Sequence, residues 1–172
     1  NNPEATAKEF HDGWFGTGDL GSLDEDGYLT INGRKKEIIV TSSGKNIAPA
    51  PLEDVLRRHP IIGQPVLVGE HRKFVSALIF LDSEMLPGWL KNHDLPQMDL
   101  REAADDDAIQ AEVAKAVEQM NKTVSRAEGV KKFKILPIEL TEENGYLSAK
   151  QSVKRHLINK DFAADIDALY AS

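Results

Sequence analysis

The sequence predicts an α+β fold, a central three-stranded sheet with flanking helices, preceded by a short hairpin. Three observations carry that prediction. Residues 64–69 and 74–81 are short, largely apolar runs on either side of the turn Glu70-His71-Arg72, as expected for paired strands. A third such run, residues 132–137, comes only after a long helical stretch. That stretch, residues 108–126, places Ile109, Val113, Val117, Met120 and Val124 along one apolar stripe. Helices and strands therefore alternate around three strands.

The remaining elements follow in order. Residues 4–10 read as the end of a helix, after which Gly, Asp and Thr dominate up to Gly21. Asp24-Glu25-Asp26-Gly27 is a turn, with glycine where a positive φ is needed, and residues 22–23 and 28–31 form a hairpin around it. Asn32-Gly33 reads as a second turn, leading through Arg34-Lys35-Lys36-Glu37 to a strand over residues 38–41 and a loop over 42–46. Pro49 and Pro51 suit the first turn of a helix running to about His59, with Leu52, Val55 and Leu56 at helical spacing. Residues 94–107 are polar and read as irregular, residues 141–145 as a turn. A last helix is expected over 160–170, with Phe162, Ile166 and Leu169 on one side. No internal repeat is visible. The change from hairpin to basic, turn-rich connection divides the chain into 1–33, a hinge at 34–37, and 38–172.

Composition narrows the classes of function. The 172 residues are 41% hydrophobic and 28% charged, ordinary for a globular domain, and the formal net charge of -7 speaks against nucleic acid as a partner. The basic runs (Arg34-Lys35-Lys36, Lys131-Lys132, Lys154-Arg155) are short. Cysteine is absent, which removes disulfides, thiolate catalysis and thiolate metal sites. The five histidines show no i,i+4 pair or other metal-ligand spacing, so no metal site is expected. The longest apolar run, 74–81, is too short to span a bilayer, and Asn1-Asn2-Pro3-Glu4 has neither the basic nor the apolar region of a signal peptide. With no initial Met, the chain reads as one already under way. A cytoplasmic protein is expected, with a peripheral place at a membrane compatible.

Four segments carry chemistry. In Gly13-Trp14-Phe15-Gly16-Thr17-Gly18-Asp19-Leu20-Gly21 the glycines allow close approach of a ligand, and Asp19 can accept hydrogen bonds from a ribose-like diol. Alone, it reads equally as a Gly-rich turn with a capping Asp. Gly33-Arg34-Lys35-Lys36-Glu37-Ile38-Ile39 is either a charged linker or a hinge whose polar groups exchange partners. Thr41-Ser42-Ser43-Gly44-Lys45-Asn46-Ile47 is a polar loop before a helix start, able to bind anions through backbone N–H groups. The segment from Glu142 to Arg155 places Lys150 and Lys154 on a polar loop, where an ammonium can stabilise developing negative charge or simply face solvent.

In this order the four segments resemble the end of an adenylate-forming enzyme, and most closely a long-chain fatty-acyl-CoA ligase. Phe15-Gly16-Thr17-Gly18-Asp19 is similar to the family's ribose-binding Thr-Gly-Asp segment, and Gly33 to Ile39 looks like its hinge. The resemblance implies nucleotide contacts at Asp19 and Arg34, a hinge residue at Lys36, and a pantetheine path lined by Ser43, Gly44 and Lys45. Glu143-Asn144-Gly145-x-Leu147, Lys154-Arg155, and then Phe162, Ile166 and Leu169-Tyr170 match the closing pattern of the long-chain branch. The polar, helix-bearing insertion between Leu81 and Val130 fits that branch too. One position departs. The lysine that assists adenylation in the family falls on Ser152, with Lys150 two residues earlier and Lys154 two later. On an extended segment an offset of two keeps the same side and moves an amine by roughly 6–7 Å. Lys150 is therefore the expected catalytic stand-in and Lys154 the second.

The resemblance implies the small C-terminal domain of an adenylate-forming enzyme, incomplete for catalysis alone and working with its own large N-terminal domain. Fatty acid, ATP and CoA would be substrates, with Mg bound mainly by that large domain. Two alternatives stay open: a ligase of the same superfamily for another carboxylic acid, and a non-catalytic or regulatory version without the adenylation lysine.

Overall fold

The structure is a computed structural model that describes residues 2–171. It opens with helix α1 (Pro3–Glu9) and two small antiparallel pairs. The first joins β1 (Phe10–His11) to β2 (Trp14–Phe15), and the second joins β3 (Asp19–Leu23) to β4 (Leu29–Arg34). Asn32-Gly33 is not the expected turn but lies inside β4. Leu20 pairs with Gly33 and Gly21 with Ile31, so Asn32 is an extra residue, a bulge with its Nδ2 donating to Ser22 Oγ at 3.2 Å. Gly33 sits at φ +144°, which a side chain would strain.

A 3-10 turn (Lys35–Glu37) then leads to the two-residue strand β5 (Ile39–Val40), shorter than the 38–41 expected, paired with β6 (Asn46–Ile47). Helix α2 (Pro49–Arg57) follows, burying Leu52 and Leu56 as its spacing predicts. The central sheet consists of β7 (Ile62–Val68), β8 (Val75–Leu81) and, after three helices, β9 (Val130–Leu136). Strand β8 lies in the middle, antiparallel to β7 and parallel to β9. The parallel pair requires a long crossover, and the insertion supplies it with α3 (Met85–Asn92), α4 (Leu100–Asp105) and α5 (Asp107–Asn121).

The insertion is more ordered than the sequence suggests. Residues 94–107 contain α4, started by a capping box in which Asp99 accepts from the Glu102 N–H and Glu102 from the Asp99 N–H. Helix α5 buries Ile109, Val113, Val117 and Met120 but stops at Asn121, short of residue 126. The Asn121 side chain there hydrogen-bonds both the N–H and the C=O of Val130, each at 2.8 Å, tying the helix end to the start of β9. The expected last helix is two, α6 (Arg155–Asp161) and α7 (Ala163–Tyr170), with the break at Phe162. Phe162 leaves helical geometry to pack edge-on against Phe80 at 5.5 Å between ring centres.

All seven residues of β8 are buried because both faces of the sheet are covered. Val75, Ala77, Ile79 and Leu81 enter a core with α2, α3 and α5, while Leu78 and Phe80 enter a second with α6 and α7. The period-two alternation of a strand thus divides its side chains between two cores. Among the described residues every buried one lies at or beyond Ile39, whereas Trp14, Leu23, Tyr28, Leu29 and Ile31 are all exposed. No helix among the described residues is long and apolar enough to cross a membrane.

Candidate functional site

The β3–β4 pairing brings the two expected nucleotide contacts together. Asp19 and Arg34 are cross-strand partners, and Arg34 Nε lies 3.2 Å from Asp19 Oδ1. Both side chains are well exposed, and the Asp19 N–H is held by Thr17 Oγ1 at 3.2 Å. The turn containing Lys36 follows at once, docked by the Lys35 N–H on the Gly18 carbonyl at 2.8 Å. Lys36 itself is exposed.

The segment with the candidate lysines is a turn, not the extended stretch assumed above. Leu147 and Val153 form an antiparallel bridge, and the Ser148 N–H donates to the Ser152 carbonyl at 2.9 Å. Lys150 therefore sits exposed at the tip, followed by Gln151 at φ +58°, and the period-two argument for its side does not apply. Lys154 is half-buried where α6 begins.

Two open hollows meet at Arg155. The larger, about 830 Å³, is lined by Lys36, Glu37, Lys154, Arg155 and His156 among others. The smaller, about 560 Å³, is lined by Arg34 and Ser152 together with Glu37, Glu53, Arg57 and Arg155. Lys150 lines neither. The structure thus joins the Asp19–Arg34 pair, the turn at Lys36 and the base of the lysine turn, and leaves Lys150 outside them.

Arg155 and Glu53 are the supports that residue-by-residue reading passed over. Glu53 is buried on α2; it accepts from the Leu67 N–H at 2.7 Å and from the Arg155 guanidinium. Arg155 also donates to the Leu67 carbonyl at 3.3 Å and lies 4.0 Å from Glu37.

Ser43, Gly44 and Lys45 stand elsewhere, in a loop folded on Thr41. The Gly44 N–H donates to the Thr41 carbonyl at 2.9 Å and the Lys45 N–H to Thr41 Oγ1 at 3.2 Å, with Gly44 at φ +79°. Lys45 Nζ lies 3.3 Å from Glu128 Oε1. Hydrogen bonds from Ser125 come first, with Lys45 behind them, in holding the Glu128 carboxyl below the usual glutamate range. The pattern Ser125-x-x-Glu128, a capping box in outline, was the available signal. Among the described residues no three His, Asp or Glu side chains are grouped to hold a metal ion.

A small α+β domain that begins at a 3-10 turn and carries these loops defines a known class. Residues 36–172 match the model of the AMP-binding enzyme C-terminal domain, and the chain belongs to that family. Over 98% of its length it is 51% identical to the long-chain-fatty-acid–CoA ligase FadD15 of Mycobacterium tuberculosis, of which it spans 28%. It is 32% identical to the long-chain-fatty-acid–CoA ligase ACSBG2 of Xenopus laevis, across 92% of this chain and 24% of that one. The adenylation domain of a carboxylate reductase from Mycobacterium chelonae superposes with a TM-score of 0.79 at 24% identity, over 99% of this chain and 25% of that one, which establishes the shared fold.

Proposed function

We propose that the chain is the C-terminal part of an ATP-dependent long-chain fatty acid:CoA ligase, acting with its own large N-terminal domain. The carrying observation is the Asp19–Arg34 pair, set directly before the turn at Lys36, with Arg34 lining one hollow together with the base of the lysine turn. The relatives' names and the 28% span support the same reading. In it, residues 1–33 are the end of the large domain, residues 34–37 the hinge and residues 38–172 the mobile domain. The exposed apolar side chains before Ile39 are the expected face of such a remnant. The protein would act in the cytoplasm or peripherally at a membrane.

The reaction has two steps. A fatty carboxylate attacks the α-phosphate of ATP, forming the acyl-adenylate and releasing pyrophosphate; CoA thiolate then attacks the acyl carbon and AMP leaves. Asp19 accepts from the ribose hydroxyls with the oxygen that Arg34 leaves free, and Arg34 orients the Asp19 carboxylate. Mg, as the companion of ATP, belongs to the large domain. Rotation at Lys36 presents the lysine turn for the first step and the Ser43-Gly44-Lys45 loop for the second. Lys150, carried free at the turn tip, supplies the ammonium; Lys154, confined beside Lys36, is second.

The full-length protein given ATP and CoA is expected to make the thioester of palmitate in preference to acetate or aryl acids. Equal or better use of the short or aryl acids would overturn the long-chain assignment. Lys150→Ala should abolish pyrophosphate exchange while leaving thioester formation from supplied acyl-adenylate. If Lys154→Ala alone abolishes exchange, the role passes to Lys154. A second reading, a non-catalytic or regulatory version without the adenylation lysine, is favoured by Ser152 at the family's lysine position; a full-length protein that shows no exchange would establish it, whereas exchange that survives both substitutions would overturn it and remove both lysines from the step.

A further inference from the structure

Glu128 lies far in sequence from the Gly44 loop and lines neither hollow, yet it holds that loop's lysine. Its two oxygens divide the work. Oε2 accepts from the Ser125 N–H at 3.1 Å and Ser125 Oγ at 2.6 Å, while Oε1 faces Lys45 Nζ at 3.3 Å. The segment holding it is itself anchored. The Glu128 and Gly129 N–H groups donate to the Ser125 carbonyl at 2.9 and 3.1 Å, and the next residue, Val130, is clamped by Asn121. The carboxylate is thus a fixed post, and Lys45 is the long, flexible partner that reaches it.

The loop needs such a post. Thr41, 4% exposed, closes residues 41–45 on themselves through its backbone and hydroxyl. Outward from residues 42–45 run two ties, the Ser42 N–H to the Arg72 carbonyl at 2.9 Å and the Lys45–Glu128 pair. The β5–β6 pairing and Thr41 hold the loop closed, and these two ties set where the closed loop sits against the rest of the domain, with Gly44 at φ +79° between them.

We infer that Glu128 is a positioning residue for the CoA step, acting through Lys45 to keep the Gly44 loop in the shape that lines the pantetheine path. This rests on the ligase reading above. A half-exposed ion pair adds little to stability, so its effect falls on the loop's placement and not on folding.

The test uses the full-length enzyme. Glu128→Gln should raise KM for CoA about three- to fivefold, the size of a lost exposed pair, with kcat nearly kept. Pyrophosphate exchange, which needs no CoA, and the unfolding midpoint should stay as in the parent. The charge swap Lys45→Glu with Glu128→Lys should recover most of the KM. An unchanged KM, exchange falling in step with thioester formation, or a swap that recovers nothing would each overturn the inference while the ligase reading stands. A full-length protein making no thioester from any acid would overturn both.

Discussion

Ser152 lines the smaller hollow beside Arg34, its N–H held by Ser148 Oγ at 3.2 Å. A lysine there would extend its ammonium toward the Asp19–Arg34 pair from a fixed backbone. Ser152→Lys should therefore raise pyrophosphate exchange and restore it to a Lys150→Ala enzyme; no gain in either background would remove this hollow from the adenylation step. Glu53 offers a contrasting case, since its carboxylate is buried and answered by Arg155 and the Leu67 N–H. Leaving Arg155 without it costs stability on the order of 3 kcal/mol, readable by denaturant unfolding of Glu53→Ala. Glu112 shows how pH enters. The Lys115 hydrogen bond first, then His59, hold its carboxyl below the usual range against the opposing effect of burial. The unfolded chain then binds the more protons as pH falls. The contribution of this carboxylate is thus complete above about pH 4.3 and is lost as pH drops through the lower folded value. Glu112→Gln should flatten the acid side of the stability curve in that window and leave it parallel to the parent near neutrality.

At the scale of elements, caps decide where the insertion's helices begin and end. Asp99→Ala removes the acceptor for two backbone N–H groups of α4 and should cost about 1 kcal/mol, measured by thermal unfolding. Asn121→Ala should cost about 1–3 kcal/mol, because both polar groups of Val130 lose their partner at the head of β9. These elements also mark what the sequence made legible. The three central strands, α2 and α5 were readable because burial dictates their apolar spacing, and Ile109, Val113, Val117 and Met120 are buried as the stripe requires. Helix α3 was missed because Pro87-Gly88 masks a short apolar pair, Leu86 and Leu90. Helix α4 was missed although Asp99-x-x-Glu102 announces a helix start. Asn32-Gly33 misled because the same dipeptide serves a turn or a bulge, and only the partner strand's register decides. In the site, the expected hairpin over residues 22–31 stopped short of Asp19 and Arg34, which the resemblance alone named, and their pairing appears only because β4 runs on through the Asn32 bulge. The Glu53–Arg155 and Lys45–Glu128 pairs join residues 102 and 83 positions apart, and no local pattern reports such separations.

For the whole molecule, the burial pattern sets the described residues from Ile39 onward apart from those before them. The two cores share β8 as their common wall, and truncating it should damage both together. Phe80→Ala should cost about 3–5 kcal/mol, since that ring is fully buried and also packs on Phe162 at the α6–α7 break. The first 33 residues add none of these buried side chains and meet the domain where β4 runs against α2, with the Ala50 Cβ 3.8 Å from where a Cβ on Gly33 would stand. A chain starting at Arg34 should therefore unfold in one cooperative step, with a midpoint within about 4 °C of the 172-residue chain. It should also bind less of a dye such as ANS, because Trp14, Phe15, Leu23 and Tyr28 leave with the deleted segment. A midpoint lower by about 10 °C would mean that the hairpin is part of the domain's core, and the boundary at residues 34–37 would then be misplaced. An unchanged midpoint with undiminished dye binding would instead show that the exposed apolar surface lies on the residues from Arg34 onward, contrary to the burial observed.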